Sequence, residues 1–375
     1  MLARCLLPSL LCFVAVGCQV QQDAAPPVAE TVEVASPEEG GAVSTAPVEP
    51  ANGTQPNGVA RPEPGVPLPV DWSSPVELAS GQAWVSCDLD YATAGDGMPL
   101  DALAHEDLNV ALTPCMERGV MRLRYKGKIA ADFTALVQRL ALVAEELSID
   151  KRVLDLDSSG GLVEDAMRAG DVIAETHWTV WVREDAVCHS ACMFILAAGD
   201  VRMISGRVGI HRIIRMSSTA TTRVQLNKEL RAVYGRVRDY LERNGVAVAV
   251  ADLMMAVPNR SLRLLTAAEL QEYGLDGINP VQDDLDRLQL MRRCGEDFVS
   301  RRDAFARAFD ARCKRPDAEL DALNACGLEL RRDFGFPDQS CPAESPLSEF
   351  DTVAEGGEGA DSDAAAAPAS GAGIN

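Results

Sequence analysis

The chain has 375 residues and a formal net charge of −21 at neutral pH. This length predicts two folded units with tails, and an acidic chain without basic clusters argues against nucleic acid as a partner. Residues 19–71 carry a net −7 and residues 346–375 a net −6, in stretches rich in Ala, Pro, Gly and Ser. Such stretches bury too little apolar surface to offset the entropy of ordering. We therefore predict a disordered acidic tether over residues 19–75 and a disordered acidic tail over 346–375.

The first 18 residues, MLARCLLPSLLCFVAVGC, contain an early arginine, an apolar run and a small-residue site, as export signals do. Their end, AVGC, resembles the lipobox of bacterial lipoproteins, which implies a lipid on Cys18. The alternative is an ordinary signal peptide with a chance cysteine. No later segment reaches the roughly 20 apolar residues that a transmembrane helix needs. We expect a periplasmic or cell-envelope location, with membrane contact through the lipid only.

Eight of the eleven cysteines remain once Cys5, Cys12 and Cys18 are assigned to the signal. An even number in an exported chain predicts disulfides. No CxxC pair is present, which argues against a zinc ribbon. Cys87 and Cys115 flank a strand-rich region, residues 80–126, and are candidates to pair.

Strands and helices alternate after this region. Short apolar or alternating stretches predict strands at 83–87, 120–127, 152–156, 178–182, 201–205 and 207–211. Helical stripes cover 133–147, 162–173 and 226–240, and SACMFILAA, from Ser190, has the composition of a buried helix. This alternation predicts an α/β fold with a parallel sheet and crossover connections, over residues 76–281.

Past about residue 282, two further helices are predicted, joined at Pro316. In an antiparallel hairpin, Cys313 near the turn lies closer to Cys326 than to Cys341, and Cys294 lies near Cys341. Among the three pairings that four cysteines allow, we favour Cys294–Cys341 and Cys313–Cys326. Residues 282–345 are thus predicted to be a disulfide-linked helical hairpin.

The stretch VCHSACMF, 187–194, places Ser190 between Cys188 and Cys192 where a strand becomes a helix. Such a turn is often only packing, and the G-x-S-x-G elbow of other hydrolases is absent. The two cysteines either form a disulfide that locks the turn or are packed thiols. A nucleophilic serine needs a base, and His211, at a strand end in VGIHR, is the best candidate.

The remaining histidines are weaker candidates for the base. His105 lies in a polar loop, and His177 closes a helix, where a cation complements the helix dipole. His189 is adjacent to Ser190, and adjacent side chains at a turn diverge. A lysine base is the alternative, and Lys228 is the only lysine shortly after Ser190.

DSSGGLVEDA, 157–166, offers backbone N–H donors for a developing oxyanion, because paired glycines let the backbone approach a ligand. The same pattern suits a tight turn with a helix cap, or a phosphate cradle.

Taken in order, strand–DSSGG–helix, strand–CHSAC–helix, strand–GIH, a long helix and LLTAAELQEYGLDG (264–277) resemble the Clp protease proteolytic subunit and its exported relatives. The matching family stretches are N-S-P-G-G, A-S-M-G, M-I-H and F-L-S-A-x-E-A-x-E-Y-G-L-I-D. The resemblance covers about residues 118–280 and implies a ClpP/crotonase-like spiral of β-β-α units.

The resemblance also implies a site and a reaction. Ser190 falls at the nucleophile, His211 at the general base, and the N–H groups of Gly161 and Ala191 at the oxyanion hole. The reaction would be acyl transfer to Ser190 followed by hydrolysis of a peptide or protein substrate. No cofactor or metal is implied, and a homo-oligomer is compatible with the family. A compartment without ATP argues against an ATP-driven unfoldase partner.

The departures from the family concern the third catalytic residue and the neighbours of the serine. Leu262 occupies the position of the acid, so Asn259 or Ser261 orients His211, or nothing does. Ser159 replaces the proline of N-S-P-G-G, and the helical extension and tether are additions.

Three functions follow as hypotheses from this sequence. The first is an exported serine hydrolase, most simply a peptidase. The second is a weakly active or inactive ClpP-fold scaffold that binds peptides at the envelope, which Leu262 favours. The third is a Ser–Lys enzyme similar to signal-peptide peptidases, with Lys228 as its base.

Overall fold

The computed structural model describes residues 32–34, 43–44, 70–215, 218–258, 260–315, 319–348 and 350. The export signal with Cys18, most of the tether, Asn259 and residues 351–375 lie outside the described residues, so their predictions stay predictions. In the described part of the chain, no helix is long and apolar enough to cross a membrane.

The strands form two main sheets and one small sheet. They are β1 (Val32–Val34), β2 (Val43–Ser44), β3 (Gly81–Ser86), β4 (Met98–Pro99), β5 (Val120–Gly127), β6 (Lys151–Asp157), β7 (Trp178–Val182), β8 (Val187–His189), β9 (Val201–Ile204), β10 (Arg207–Ile210), β11 (Ile214–Arg215), β12 (Ser261–Leu264) and β13 (Gly277–Ile278). The larger sheet has the order β13-β9-β7-β6-β5-β3-β4, and the smaller main sheet has the order β1-β12-β10-β8.

The predicted parallel sheet with crossovers is confirmed. Strands β5, β6, β7 and β9 run parallel, while β3, β4 and β13 add antiparallel edges. In the second sheet β8 and β10 are parallel, and β12 is antiparallel to β10. Two short strands from the predicted tether region also pair with the folded unit, β1 with β12 and β2 with β11.

The helices supply one side of the main core and build the C-terminal extension. They are α1 (Tyr91–Ala94), α2 (His105–Leu112), α3 (Ala131–Glu146), α4 (Val163–Glu175), α5 (Cys192–Ala198), α6 (Arg223–Arg243), α7 (Ala249–Ala256), α8 (Ala267–Glu272), α9 (Pro280–Cys294), α10 (Glu296–Arg312) and α11 (Leu320–Asp333). A single turn of 3-10 helix, Thr113–Cys115, follows α2. Helices α3, α4 and α5 pack side by side against the buried residues of β5, β6 and β7.

The predicted helical stripes are mostly buried, as amphipathic periodicity requires. Phe133, Leu136, Val137, Leu140 and Val143 of α3 are fully buried. In α6 the buried stripe begins later than predicted, because Leu226 is exposed and Val233 is the first of the predicted apolar residues to be fully covered.

The C-terminal extension has its own apolar cluster, which includes Phe298, Phe305, Leu330 and Phe336. The predicted pairings Cys294–Cys341 and Cys313–Cys326 are confirmed, as is Cys87–Cys115 in the first unit. Helices α10 and α11 correspond to the two predicted helices. The prediction missed α9, which begins at Pro280 with Asn279 as its side-chain cap, a typical start of a helix.

The buried side chain of Arg202 joins the ends of several helices and turns. Arg202 of β9 is buried and donates hydrogen bonds to the carbonyl oxygens of Ala197, Gly199, Asn244 and Gly274. Burial lowers the pKa of Arg202 to about 10, so the side chain stays charged at neutral pH. It therefore ties the ends of α5 and α6 to β9.

A buried charge cluster lies on the adjacent strands β5 and β6. Asp155 is fully buried and contacts Arg124 at 2.6 Å, Arg122 at 3.4 Å and Arg183 at 3.0 Å. Burial raises the pKa of Asp155, and the three arginines oppose that rise. The carboxylate is thus the anion that balances the buried guanidinium groups.

We expect Asp155→Asn to lower the free energy of unfolding by about 3 to 5 kcal/mol, because it removes the carboxylate that the fully buried Arg122 contacts and one of the two that Arg124 and Arg183 each contact. Urea titration measures this change. Asp88→Asn is the matched control, since Asp88 pairs with Arg118 at 2.7 Å in a solvent-exposed position and such pairs contribute about 0 to 1 kcal/mol. Equal effects of the two substitutions would contradict the prediction.

The structure also shows the surroundings of His105 and His177, two histidines that the sequence did not favour as the base. His105 begins α2 rather than lying in a loop, and its Nε2 is 2.8 Å from Glu146 Oε2. His177 follows α4 in the left-handed conformation (φ 57°), and its Nδ1 lies 2.8 Å from Asp200 Oδ2. The hydrogen bond to Asp200 raises the pKa of His177.

Because the folded-state pKa of His177 is raised, the pairing of His177 with Asp200 stabilises the folded protein fully below about pH 6.5. This stabilisation is lost as the pH rises through the folded-state pKa. We expect His177→Gln to destabilise the protein more at about pH 5.5 than at about pH 8.5. Urea titration at the two pH values measures the difference, and Asp200→Asn should reproduce it. A loss independent of pH would contradict this assignment.

Candidate active site

The candidate nucleophile lies in a tight turn between a strand and a helix. Strand β8 ends at His189, and α5 begins at Cys192. Ser190 between them has φ 61°, a left-handed conformation that residues other than glycine rarely adopt. Its N–H donates to the Gly209 carbonyl oxygen at 2.7 Å, which fastens the turn to β10. The hydroxyl is fully buried and has no hydrogen-bond partner in the described structure.

Cys188 and Cys192 form a disulfide with a Cα–Cα distance of 5.2 Å. This resolves the alternative between a disulfide and packed thiols. Both residues are fully buried, and Ser190 is the middle residue of the five that the bond encloses.

The glycine turn packs directly against the serine turn. Strand β6 ends at Asp157, and Ser158 continues its path beside Cys188. Gly160 has φ 108°, and a Cβ built on it would lie 2.8 Å from the Cβ of Ser190. Glycine is therefore required at 160 on both steric and conformational grounds.

The second glycine fits against another segment. A Cβ on Gly161 would overlap the carbonyl oxygen and the nitrogen of Ile129. The neighbouring hydrogen bonds, from Ile129 N–H to the Gly160 carbonyl and from Leu162 N–H to the Ile129 carbonyl, are both 2.8 Å. The N–H groups of Gly161 and Ala191 donate to no other described residue. Two backbone donors beside Ser190 are thus available to an acceptor.

His211 lies at the neighbouring strand end. Gly209 of β10 pairs in parallel with His189 of β8, so the residues after these strands, including Ser190 and His211, occupy the same sheet edge. His211 is buried, and its Nδ1 is 3.1 Å from the Arg212 carbonyl oxygen. A carbonyl can only accept, so this contact places the proton on Nδ1 and makes Nε2 the basic nitrogen.

The predicted hydrogen bond between Ser190 and His211 is not formed, since the Ser190 hydroxyl has no partner in the described structure. The sequence predicts that Ser190 and His211 both follow strands at one edge of a sheet. The side-chain torsion angles that would bring the two side chains together cannot be read from the sequence pattern.

The position of the missing acid is occupied by a buried leucine. Strand β12 pairs with β10 through Ile210 and Arg263, and the next step of this register sets Leu262 opposite His211. Ser261 begins β12 and donates its N–H to the Pro258 carbonyl oxygen at 3.0 Å. An apolar side chain therefore lies at the point where the family resemblance expects a carboxylate.

A backbone carbonyl, that of Arg212, contacts Nδ1 of His211, and sequence analysis did not find it because every residue has a carbonyl. Arg212 is itself held in place: its N–H donates to the Val257 carbonyl at 2.9 Å and its Nε to the Met255 carbonyl at 2.7 Å. These contacts fix the acceptor of the His211 proton.

The alternative bases occupy less suitable positions. Lys228 is exposed on α6, whereas the Ser190 hydroxyl is buried. His189 is buried, and its ring lies against Gly209 rather than in the turn that holds Ser190. Within the described ranges, no group of three or more His, Cys, Asp or Glu side chains is arranged to hold a metal ion.

We expect Gly161→Ala to lower the free energy of unfolding by at least about 2 kcal/mol, because the added methyl group meets backbone atoms that cannot move aside. Gly235→Ala, inside α6 with no atom near its Cβ position, should instead stabilise by about 0.5 to 1 kcal/mol. Thermal or urea unfolding measures both. Tolerance of alanine at 161 would contradict the close packing described here.

Comparisons with known proteins show a partial likeness to solved structures. No protein-family model matches the chain, and no curated protein matches it. Among solved structures, it is similar to a mutant of the 1510-N membrane-bound stomatin-specific protease, with 16% identity and a TM-score of 0.34. The match covers 44% of this chain and 81% of that chain. A likeness at this level does not identify the reaction or the fold family. The ClpP/crotonase-like spiral therefore stays a prediction.

Proposed function

We propose that the chain is an exported, ClpP-like serine hydrolase that cleaves peptide bonds. The observation that carries this proposal is the Ser190 turn itself. Ser190 has a left-handed backbone conformation inside a disulfide-bonded turn, and this turn packs on a glycine turn. The N–H groups of Gly161 and Ala191 donate to no other described residue, and His211 lies at the same sheet edge with its Nδ1 against a carbonyl. A turn built only for packing has no need of this combination.

In the proposed reaction, the Ser190 hydroxyl attacks the carbonyl carbon of the scissile amide and gives its proton to His211 Nε2. The N–H groups of Gly161 and Ala191 stabilise the negative charge on the carbonyl oxygen. His211 then protonates the leaving amine, and an acyl-enzyme remains. Water, deprotonated by His211, hydrolyses this ester and restores the free serine.

The unpaired hydroxyl of Ser190 supports a reactive role. A buried polar group without a partner costs about 1 to 3 kcal/mol, and such groups in folded proteins call for an explanation. Catalytic hydrogen bonds are often absent from free enzymes and form in the substrate complex. We infer that rotation of the Ser190 side chain brings Oγ to His211 when a substrate opens the site.

Leu262, at the position where the family resemblance expects an acid, predicts a slow enzyme. A neutral carbonyl holds the correct tautomer but stabilises the imidazolium less than a carboxylate does. Loss of the orienting acid lowers turnover by about 10⁴-fold in serine proteases, which sets the scale expected here.

The rival proposal is a non-catalytic scaffold or peptide-binding protein. The buried Ser190 hydroxyl and Leu262 favour this rival, while the unused N–H groups of Gly161 and Ala191 favour the enzyme. The Ser–Lys alternative is disfavoured because Lys228 is exposed, whereas the Ser190 hydroxyl is fully buried.

The four disulfides are consistent with an oxidising compartment outside the cytosol. Lipid anchoring at Cys18, a peptide or protein substrate and self-association are further parts of the proposal, and each is independent of the chemistry at Ser190.

We expect a fluorophosphonate probe to label the full mature chain at Ser190. Ser190→Ala should abolish labelling, because it removes the nucleophile. His211→Ala should lower the rate by about 10²-fold or more, because it removes the base. Mass spectrometry of the labelled peptide and the time course of labelling measure both effects.

Lys228→Ala is the matched control, and it should label like the wild type. Circular dichroism confirms that each variant is folded. Absence of labelling in folded wild type would support the scaffold, and dependence on Lys228 but not His211 would support the Ser–Lys enzyme.

A further inference from the structure

We propose that the Cys188–Cys192 disulfide is a positioning element of the site, which holds the Ser190 backbone in the left-handed conformation from which its side chain reacts. This inference rests on the proposed function, since it assigns the bond a part in the reaction at Ser190.

The bond joins two anchored elements across the serine turn. Cys188 lies in β8, where it pairs with Val208 of β10 on one side and bridges to Ser158 on the other. Cys192 is the first residue of α5, whose residues are all fully buried. The disulfide therefore fixes the exit of the strand relative to the start of the helix.

The enclosed turn is strained. A left-handed serine is disfavoured relative to the ordinary regions of backbone conformation, and such strain persists only where the surrounding structure maintains it. With Cα atoms 5.2 Å apart at its two ends, the turn cannot extend to relieve φ at Ser190. The same restraint sets the direction of the Ala191 N–H, one of the two proposed oxyanion donors.

General stabilisation is a poor explanation for this bond. The effect of a disulfide on the unfolded chain grows with the number of residues in its loop. The sequence separation here is 4, against 13, 28 and 47 for the other disulfides in the described structure. This bond therefore restricts the unfolded chain least, although it is the one that encloses the candidate nucleophile.

The test compares two double variants of the mature chain. Cys188→Ala with Cys192→Ala removes the bond at the serine turn, and Cys313→Ala with Cys326→Ala removes a bond in the C-terminal extension. For the folded fraction of each, the fluorophosphonate probe gives a maximal labelling rate and a probe concentration for half-maximal rate. We expect the first variant to lose about 10- to 100-fold in maximal rate with little change in half-maximal concentration, and the second to match wild type.

A purely structural bond would lower the folded fraction and leave the labelling rate of folded molecules unchanged, and that result overturns the inference. Equal loss in both double variants overturns it as well. Wild type that is folded but does not label removes the proposed function and this inference together, whereas wild type that labels no faster than the first variant removes only the inference.

A second measurement covers the case in which the first variant does not fold. The Cys313→Ala, Cys326→Ala protein is reduced with dithiothreitol under native conditions, assayed and then re-oxidised. Mass spectrometry after thiol alkylation follows the state of Cys188 and Cys192. Labelling should fall as these two residues become reduced and return as the bond re-forms, and a constant labelling rate through that cycle overturns the inference.

Discussion

The contact between Gly160 and Ser190 is the constraint on which the site depends. Two chain reversals, one after β6 and one after β8, approach so closely that no side chain fits on the first. This contact sets where α4 and α5 begin, because each helix starts within three residues of its turn. The same contact brings Gly160, the neighbour of Gly161, to Ser190 and the Ala191 nitrogen. The starts of two core helices and the two proposed N–H donors thus lie at one contact.

Buried charged residues of the larger sheet also hold β8, the strand that precedes Ser190. Asp157 contacts Arg124 at 3.3 Å and accepts a hydrogen bond from the Val187 N–H at 3.1 Å. Arg124 in turn binds Asp155. The first residue of β8 is therefore attached to the ion network inside the larger sheet. An irregular second sheet gains a fixed position from the regular one in this way.

Hydrophobic periodicity and cysteine spacing predict the regular helices and strands and some of the disulfides. The apolar stripe of α3 and the parallel strands follow from periodicity, and the pairings Cys294–Cys341 and Cys313–Cys326 follow from the geometry of a hairpin. The role of Arg212 does not, because a backbone carbonyl has no sequence signature. The pairing of β1 and β2 does not either, since three-residue and two-residue strands in an acidic segment carry too little hydrophobic signal. The rotamer of Ser190 depends on tertiary packing that no single stretch encodes.

The surroundings of Arg202 and the Asp155 cluster should respond differently to a fall in pH. The Arg202 guanidinium donates hydrogen bonds to four carbonyl oxygens, three of them at the ends of α5 and α6, and these bonds do not depend on the protonation of an acidic side chain. The Asp155 cluster lacks this property, because its anion is a titrating group. On acidification the sheet around β5 and β6 should therefore loosen before the junction of α5, α6 and β9. The helix that carries the serine turn would then keep its anchor at one end while the other end becomes free to move.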